Sequence, residues 1–184
     1  MPHYRKYGKI VTPITEEQFK EGIETGLFVK RKHKGFCVLL YYSAVRKMEA
    51  LRVLREQFSL NPDRIMFEVG ERLKKQRSWF KKTPPLTLPL EAPFMEELKY
   101  AIEHTKTGKR VFPYCAKTGY NIVARVFPYP HLFRLSRITQ FFLDNWSIAQ
   151  VRAWSGLSLS ALEHYIGLVD TIRMGESLAR RQNT

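Results

Sequence analysis

The chain has 184 residues, enough for one domain with a substantial core that needs neither disulfides nor metals to hold it. Hydrophobic residues make up 44% and charged residues 26%, a globular balance that excludes a disordered or fibrous chain. Thirty-one Lys and Arg against seventeen Asp and Glu leave a formal charge of +14, which points to a polyanionic partner, usually nucleic acid; a solubility surface or association with a ribosome would carry the same charge.

The longest nearly apolar run, residues 36–45, is about half of the ~20 residues that span a bilayer, so no transmembrane helix and no membrane partner are expected. The N-terminus lacks the apolar stretch of a secretory signal. Cys37 and Cys115 are the two cysteines, both in apolar sequence. A disulfide framework and a cysteine zinc site are therefore excluded, and a reducing, cytoplasmic compartment is expected.

In chain order, Thr12-Pro13 followed by T-E-E-Q predicts a helix start, with Phe19 and Ile23 on one face. Lys30, Arg31, Lys32 and Lys34 read as a basic linker. A buried helix, G-F-C-V-L-L-Y-Y-S-A-V, then leads into an amphipathic one, R-K-M-E-A-L-R-V-L-R-E-Q-F, with Met48, Leu51 and Leu54 spaced for one face. After the turn signal Asn61-Pro62-Asp63 the period changes. R-I-M-F-E-V and L-T-L-P-L read as short strands, Leu86, Leu88 and Leu90 alternating. Between them lie Arg72, Lys74, Lys75, Arg77, Lys81 and Lys82, with Trp79 and Phe80, a basic hairpin or loop. Pro93 fits the first turn of a helix carrying Met95, Leu98 and Ile102. Helical patterns return at 114–126, 132–143, 148–154 and from Ser160 onward, where Ser160 and Glu163 form a capping box. The fold class is α+β, mainly helical, with one small antiparallel sheet.

Three places carry residues of chemical interest. In Y-P-H-L-F-R, His131 and Arg134 project from one face near a helix start, a ready anion site, though H-x-x-R also arises by chance. Arg46 stands at a helix junction, where a cap or a salt bridge with Glu49 is the ordinary use. Tyr165 falls in the second turn of the last helix, where most tyrosines pack with the hydroxyl at the surface.

Taken as an ordered set, these residues resemble the catalytic domain of the tyrosine recombinase (phage integrase) family over residues 15–170. The first box is similar to L-L-Y-Y-S-A-V-R-K-M-E-A-L, the second to His131-x-x-Arg134, and the nucleophile position to Tyr165. The family's hairpin lysine precedes a V-P-L-like strand ending; counting back from Pro89 favours Lys81, with Lys82 next. Two departures stand out. The family's G-H or G-W pair before the nucleophile is missing: Gly156 or Leu157 occupies that place, with Trp154 and His164 nearby. Only about thirty-five residues precede the first box's helix, too few for the family's N-terminal DNA-clamping domain, so residues 1–184 read as a single catalytic domain with a tail at 171–184.

The resemblance implies DNA strand transfer through a 3′-phosphotyrosyl intermediate, with no cofactor and no metal. In that reading Tyr165 attacks the scissile phosphate and Arg46 and Arg134 bind its nonbridging oxygens. His131 takes the tyrosine proton and Lys81 protonates the leaving 5′-oxygen. Lys30, Arg31, Lys32, Lys34, Lys74, Lys75, Arg77 and Lys82 contact the DNA backbone. Double-stranded DNA is the implied partner, with a tetramer on two duplexes and a monomer as an alternative state for the free chain. Two other functions stay open: a DNA-binding protein of this fold that has lost turnover, and a DNA-relaxing enzyme of the type IB topoisomerase kind.

Overall fold

The structure is a computed structural model that describes residues 4–6, 9–69 and 85–182, and the side chains of residues 12–69 and 85–174. It opens with a strand pair that the sequence pattern had not signalled: β1 (Tyr4–Lys6) runs antiparallel to β2 (Lys9–Val11). Helix α1 (Glu16–Thr25) starts as expected. The Thr15 hydroxyl accepts from the Gln18 backbone N–H at 3.2 Å, and the Gln18 side chain accepts from the Thr15 N–H at 2.9 Å. Phe19 and Ile23 are both fully buried, Phe19 stacked on Tyr41 with ring centroids 4.0 Å apart.

Helix α2 (Arg31–Ser43) is the central element, buried at His33 and from Gly35 to its end. A helix apolar on all sides is stable only when other elements surround it. Helices α4 (Met95–Glu103), α5 (Ala116–Ala124) and α6 (His131–Leu143) do so. Gly35 permits the closest crossing, because a Cβ there would lie 2.5 Å from the carbonyl oxygen of Glu97 on α4. The basic run at 30–34 is not a linker. Lys30 is the N-cap of α2 and the rest is its first turn, where long basic stems reach solvent while the helix continues toward the core.

The expected amphipathic helix after Arg46 is a single turn, α3 (Lys47–Ala50). Beyond it the backbone pairs with a distant segment instead of with itself. The Val111 N–H donates to Val53 O at 3.1 Å, Leu54 bridges to Arg110, and the Arg55 N–H donates to Lys109 O at 3.0 Å. A short 3-10 turn (Arg55–Gln57) leads into β3 (Phe58–Leu60), which pairs with β4 (Arg64–Phe67) and through it with β5 (Leu86–Pro89) in an antiparallel sheet. Phe58, Ile65, Phe67, Leu86 and Leu88 are buried, and Thr87 and Pro89 point away, the period-2 pattern expected of a half-buried sheet.

Helix α4 starts at Met95, with Phe94 rather than Pro93 at its boundary, in a left-handed conformation (φ 60°). Helix α7 (Ile148–Ser155) is followed by α8 (Leu159–Gln182), a continuous 24-residue helix packed on α6 and α7. The cap of α8 is Ser158, whose hydroxyl accepts from the Ala161 N–H at 3.3 Å, and not the expected Ser160. Cys37 is buried, but Cys115 is exposed at the start of α5, contrary to its apolar sequence surroundings.

Candidate active site

Arg46 owes its place to the way α2 ends. Ala44, the residue after the helix, is left-handed at φ 53°, a conformation that costs a non-glycine residue roughly 1–3 kcal/mol and persists only where neighbours enforce it. Here two side chains from elsewhere take up the carbonyls on either side. Arg134 Nη1 donates to Ala44 O, and Trp154 Nε1 donates to Ser43 O at 3.1 Å. The chain then extends through Arg46, which caps α3. The Glu49 carboxylate accepts from both the Arg46 N–H at 2.7 Å and Arg46 Nη1 at 2.8 Å. The Glu49 side chain is 2% exposed and that of Arg46 25%, so the carboxylate is an internal anchor for a guanidinium that still reaches solvent.

Arg134, in the first turn of α6, is almost completely buried. Besides Ala44, its guanidinium reaches α7, with Nη2 donating to Ser155 O at 2.8 Å. A planar fork with fixed donors suits this bridging of two helix ends. Arg46 and Arg134 therefore belong to one hydrogen-bonded assembly, joined through the backbone of residues 44–46. His131 is the first residue of α6 and exposed; three positions before Arg134, it lies on the same helix face. Tyr165 is buried on α8 together with Leu162 and Val169, the face that packs on α6 and α7.

The segment where the resembled family carries a histidine is occupied here by Gly156 and Leu157. Gly156 is the C-cap of α7 at φ 64°, its N–H donating to Arg152 O at 2.8 Å, a position that favours glycine over any side chain. Leu157 is half-buried, its N–H on the Ser155 hydroxyl at 3.2 Å. Trp154 packs its ring against Phe141 and Trp146.

Lys81 lies outside the described residues, as do Lys74, Lys75, Arg77 and Lys82; all five fall in the connection between β4 and β5. The other expected DNA contacts stand at the N-terminal end of α2, about 20 Å of helix away from the end that leads to Arg46. Two of them are engaged with α4 and its C-terminal end. Arg31 Nε donates to Glu97 Oε2 at 2.7 Å with the guanidinium 4.1 Å over the Tyr100 ring. Lys32 Nζ donates to His104 O at 3.1 Å and to Thr105 Oγ1 at 2.9 Å. Lys30 is exposed and Lys34 half-buried.

A second basic surface escaped the sequence reading. The pairing of residues 53–55 with 109–111 brings the segment that carries Arg52 and Arg55 alongside the one that carries Lys109 and Arg110, with Lys106 at the turn before. None of these five forms an ion pair among the described residues. The surface continues from the Arg46 turn, since the Arg52 N–H donates to Glu49 O at 3.1 Å, and a cleft of about 230 Å³ opens there between Glu49, Arg52, Gln57 and Phe67. The available signal was the string K-T-G-K-R at 106–110, visible as charge but not as a neighbour of Arg52.

No protein-family model and no curated protein matches the chain. Solved structures do. The XerH site-specific recombinase bound to difH substrate, in its pre-cleavage complex, superposes with a TM-score of 0.63 at 17% identity, over 86% of this chain and 51% of that one. The XerA recombinase gives 0.62 at 14% identity, over 92% and 65%. The Tn1549 transposon integrase in complex with circular intermediate DNA gives 0.58 at 15% identity, over 84% and 60%. The chain thus spans about half the length of the XerH recombinase. At these identities the likeness establishes architecture, and the chain has the mainly helical fold with a small antiparallel sheet of the tyrosine-recombinase catalytic domain.

Proposed function

We propose that the protein is a tyrosine-type DNA strand transferase, a site-specific recombinase or integrase that cleaves and rejoins DNA through a 3′-phosphotyrosyl intermediate. The observation that carries this reading is the Arg134 bridge. It ties the turn bearing Arg46 to α6, the helix that also carries His131 and against which the helix of Tyr165 packs.

In this mechanism Arg46 and Arg134 hold the nonbridging oxygens of one phosphate, Arg134 through the N–H groups that it does not give to Ala44 O and Ser155 O, and offset the charge that builds in the transition state. The Tyr165 oxygen attacks phosphorus while His131 accepts its proton. The bond to the 5′-oxygen breaks, and Lys81 supplies the proton that oxygen takes. One phosphodiester is exchanged for another, so resealing by the 5′-hydroxyl reverses the same step without an external energy source. Basic side chains at 74–82, and those at 52, 55, 109 and 110, track the duplex backbone. Residues 30–34 join only if the duplex extends to the far end of α2. The assembly on DNA is a tetramer around two duplexes, and the protein works where DNA is, in the cytoplasm.

A second reading, a DNA-binding protein without turnover, is favoured by Gly156 and Leu157, which place no side-chain donor where the family has one. One experiment separates them. The protein is incubated with a pool of nicked duplexes of randomised sequence, and covalent complexes are isolated on a denaturing gel. A protein–DNA adduct abolished by Tyr165→Phe supports strand transfer. Retention of specific duplexes on a native gel with no covalent product supports the second reading. Relaxation of supercoiled plasmid of any sequence would instead indicate topoisomerase activity.

A further inference from the structure

We propose that Trp154 is a positioning residue for Arg46, acting through the backbone of Ser43 and Ala44; the assignment rests on the strand-transfer reading above. The indole N–H, the one hydrogen-bond donor on that side chain, donates to Ser43 O at 3.1 Å across 111 positions of sequence. Ser43 is the last residue of α2, and its carbonyl is among the four at a helix C-terminus that have no partner within the helix. The indole supplies that partner. Its ring cannot turn freely, because it meets Phe141 edge-on with centroids 5.4 Å apart and Trp146 at 5.6 Å.

The next carbonyl, Ala44 O, is taken by Arg134 Nη1. Two donors from two different helices thus hold consecutive carbonyls around the left-handed residue Ala44. An alanine stays left-handed only where its surroundings over-determine it, and these two bonds act there together with the Val45 N–H on Ser43 Oγ at 3.4 Å. Arg46 follows two residues later, so relaxation of Ala44 would turn the chain leaving α2 and draw Arg46 away from the Glu49 carboxylate that orients it. Gly156 and Leu157 bring no side-chain donor to a phosphate, and the nearby indole directs its N–H to protein backbone. Its contribution to the reaction is therefore indirect, through the aim of Arg46.

The test uses Trp154→Phe, which keeps an aromatic ring against Phe141 and Trp146 but has no N–H. Three quantities are measured on the full chain: the rate of Tyr165-dependent adduct formation at saturating nicked duplex, the affinity for that duplex, and the melting temperature. The expected result is a rate about ten-fold lower with affinity unchanged within about two-fold. The decisive comparison is with Arg46→Lys. If Trp154 acts through Arg46, adding Trp154→Phe to Arg46→Lys costs less than about two-fold, because the orientation being lost is already absent. A ten-fold loss in both backgrounds, or no loss in the otherwise native chain, overturns the assignment while leaving strand transfer intact. Absence of any Tyr165-dependent adduct in the native chain overturns both readings. Should Trp154→Phe lower the melting temperature, benzothienylalanine at position 154, the same fused ring with sulfur in place of N–H, is put through the same comparison and judged by the same outcomes.

Discussion

Arg134 donates through Nη1 to the carbonyl oxygen of Ala44, 90 positions earlier in the chain, and through Nη2 to that of Ser155, 21 positions later. A single buried guanidinium so joins the ends of two helices at the point where the candidate site is assembled. Any substitution at this position tests architecture as well as chemistry.

Arg134→Met, which keeps an apolar stem and removes both donors, leaves two buried carbonyls short of a partner. At about 1–3 kcal/mol for each, the loss of stability comes to roughly 2–6 kcal/mol. For a chain of this size, at about 2–4 °C for each kcal/mol, that is a fall in melting temperature of roughly 4–24 °C, readable by calorimetry. An unshifted transition would mean that the two bonds hold nothing in place. Adduct formation by this variant has to be measured well below its own transition, so that lost chemistry is not confused with lost fold.

Double substitution of Lys109 and Arg110 by Ala addresses the basic surface beside Arg52. Each phosphate contact removed makes the dependence of log affinity on log salt shallower by about 0.9. The pair should reduce the slope by up to about 1.8, with affinity lowered similarly for all duplex sequences, as titrations across a salt series would read. Arg31→Ala serves as the contrast. With Arg31 bonded to Glu97 and stacked on Tyr100, at the end of α2 remote from Arg46, its removal should leave the slope unchanged.

His33 gives stability a pH dependence. It is buried in the first turn of α2 against Tyr114, and burial, aided by the cations of Arg125 and Lys30, holds its imidazole below the ordinary value of 6.5. The folded chain therefore prefers the neutral ring, and the unfolded chain binds the proton more readily. By linkage, the contribution is fully present above the ordinary value and is lost as pH falls through 6.5 toward the depressed folded value. Melting temperatures taken between pH 7.5 and 5.5 should drop on the acid side. His33→Phe, which has no proton to take up, should flatten that limb; an equally steep limb in the variant would assign the effect to other groups.

The two thiols differ in accessibility and acidity. Cys115 is exposed, and the Thr118 hydroxyl beside its sulfur, 3.2 Å away, holds its thiol below the ordinary range. Burial pushes the Cys37 thiol well up. Reaction with a disulfide reagent such as DTNB should therefore release one equivalent from the folded protein and a second only after unfolding. Cys115→Ser should abolish the first.

Much of this was legible locally. Phe19 with Ile23, and Leu86 with Leu88, announce their buried faces by spacing alone, and both pairs are buried as expected. The buried run at 36–43 and the helices carrying His131, Arg134 and Tyr165 also lie where their periodicity put them. The same logic failed after Arg46. Met48, Leu51 and Leu54 have helical spacing, yet the chain becomes extended because Val53 and Arg55 bond to Val111 and Lys109. The helix-capping serine also slipped by two residues: the Ser160–Glu163 spacing marked Ser160, but α8 begins at Leu159 and the Ser158 hydroxyl takes the Ala161 N–H.

What sequence determined, then, is the helical and strand pattern of most elements, the sign of the surface charge, and the ordered set Arg46, His131, Arg134 and Tyr165. Tertiary structure alone decided that α3 is one turn, that Arg31 binds α4 and Lys32 the residues just after it, that Leu54 pairs with Arg110, and that Arg134 and Trp154 grip the end of α2. The reason is physical. Periodicity records which side of an element is buried, because that is repeated every two or three to four residues. A single hydrogen bond from a side chain to a carbonyl some hundred positions away has no period and appears only once the chain has folded.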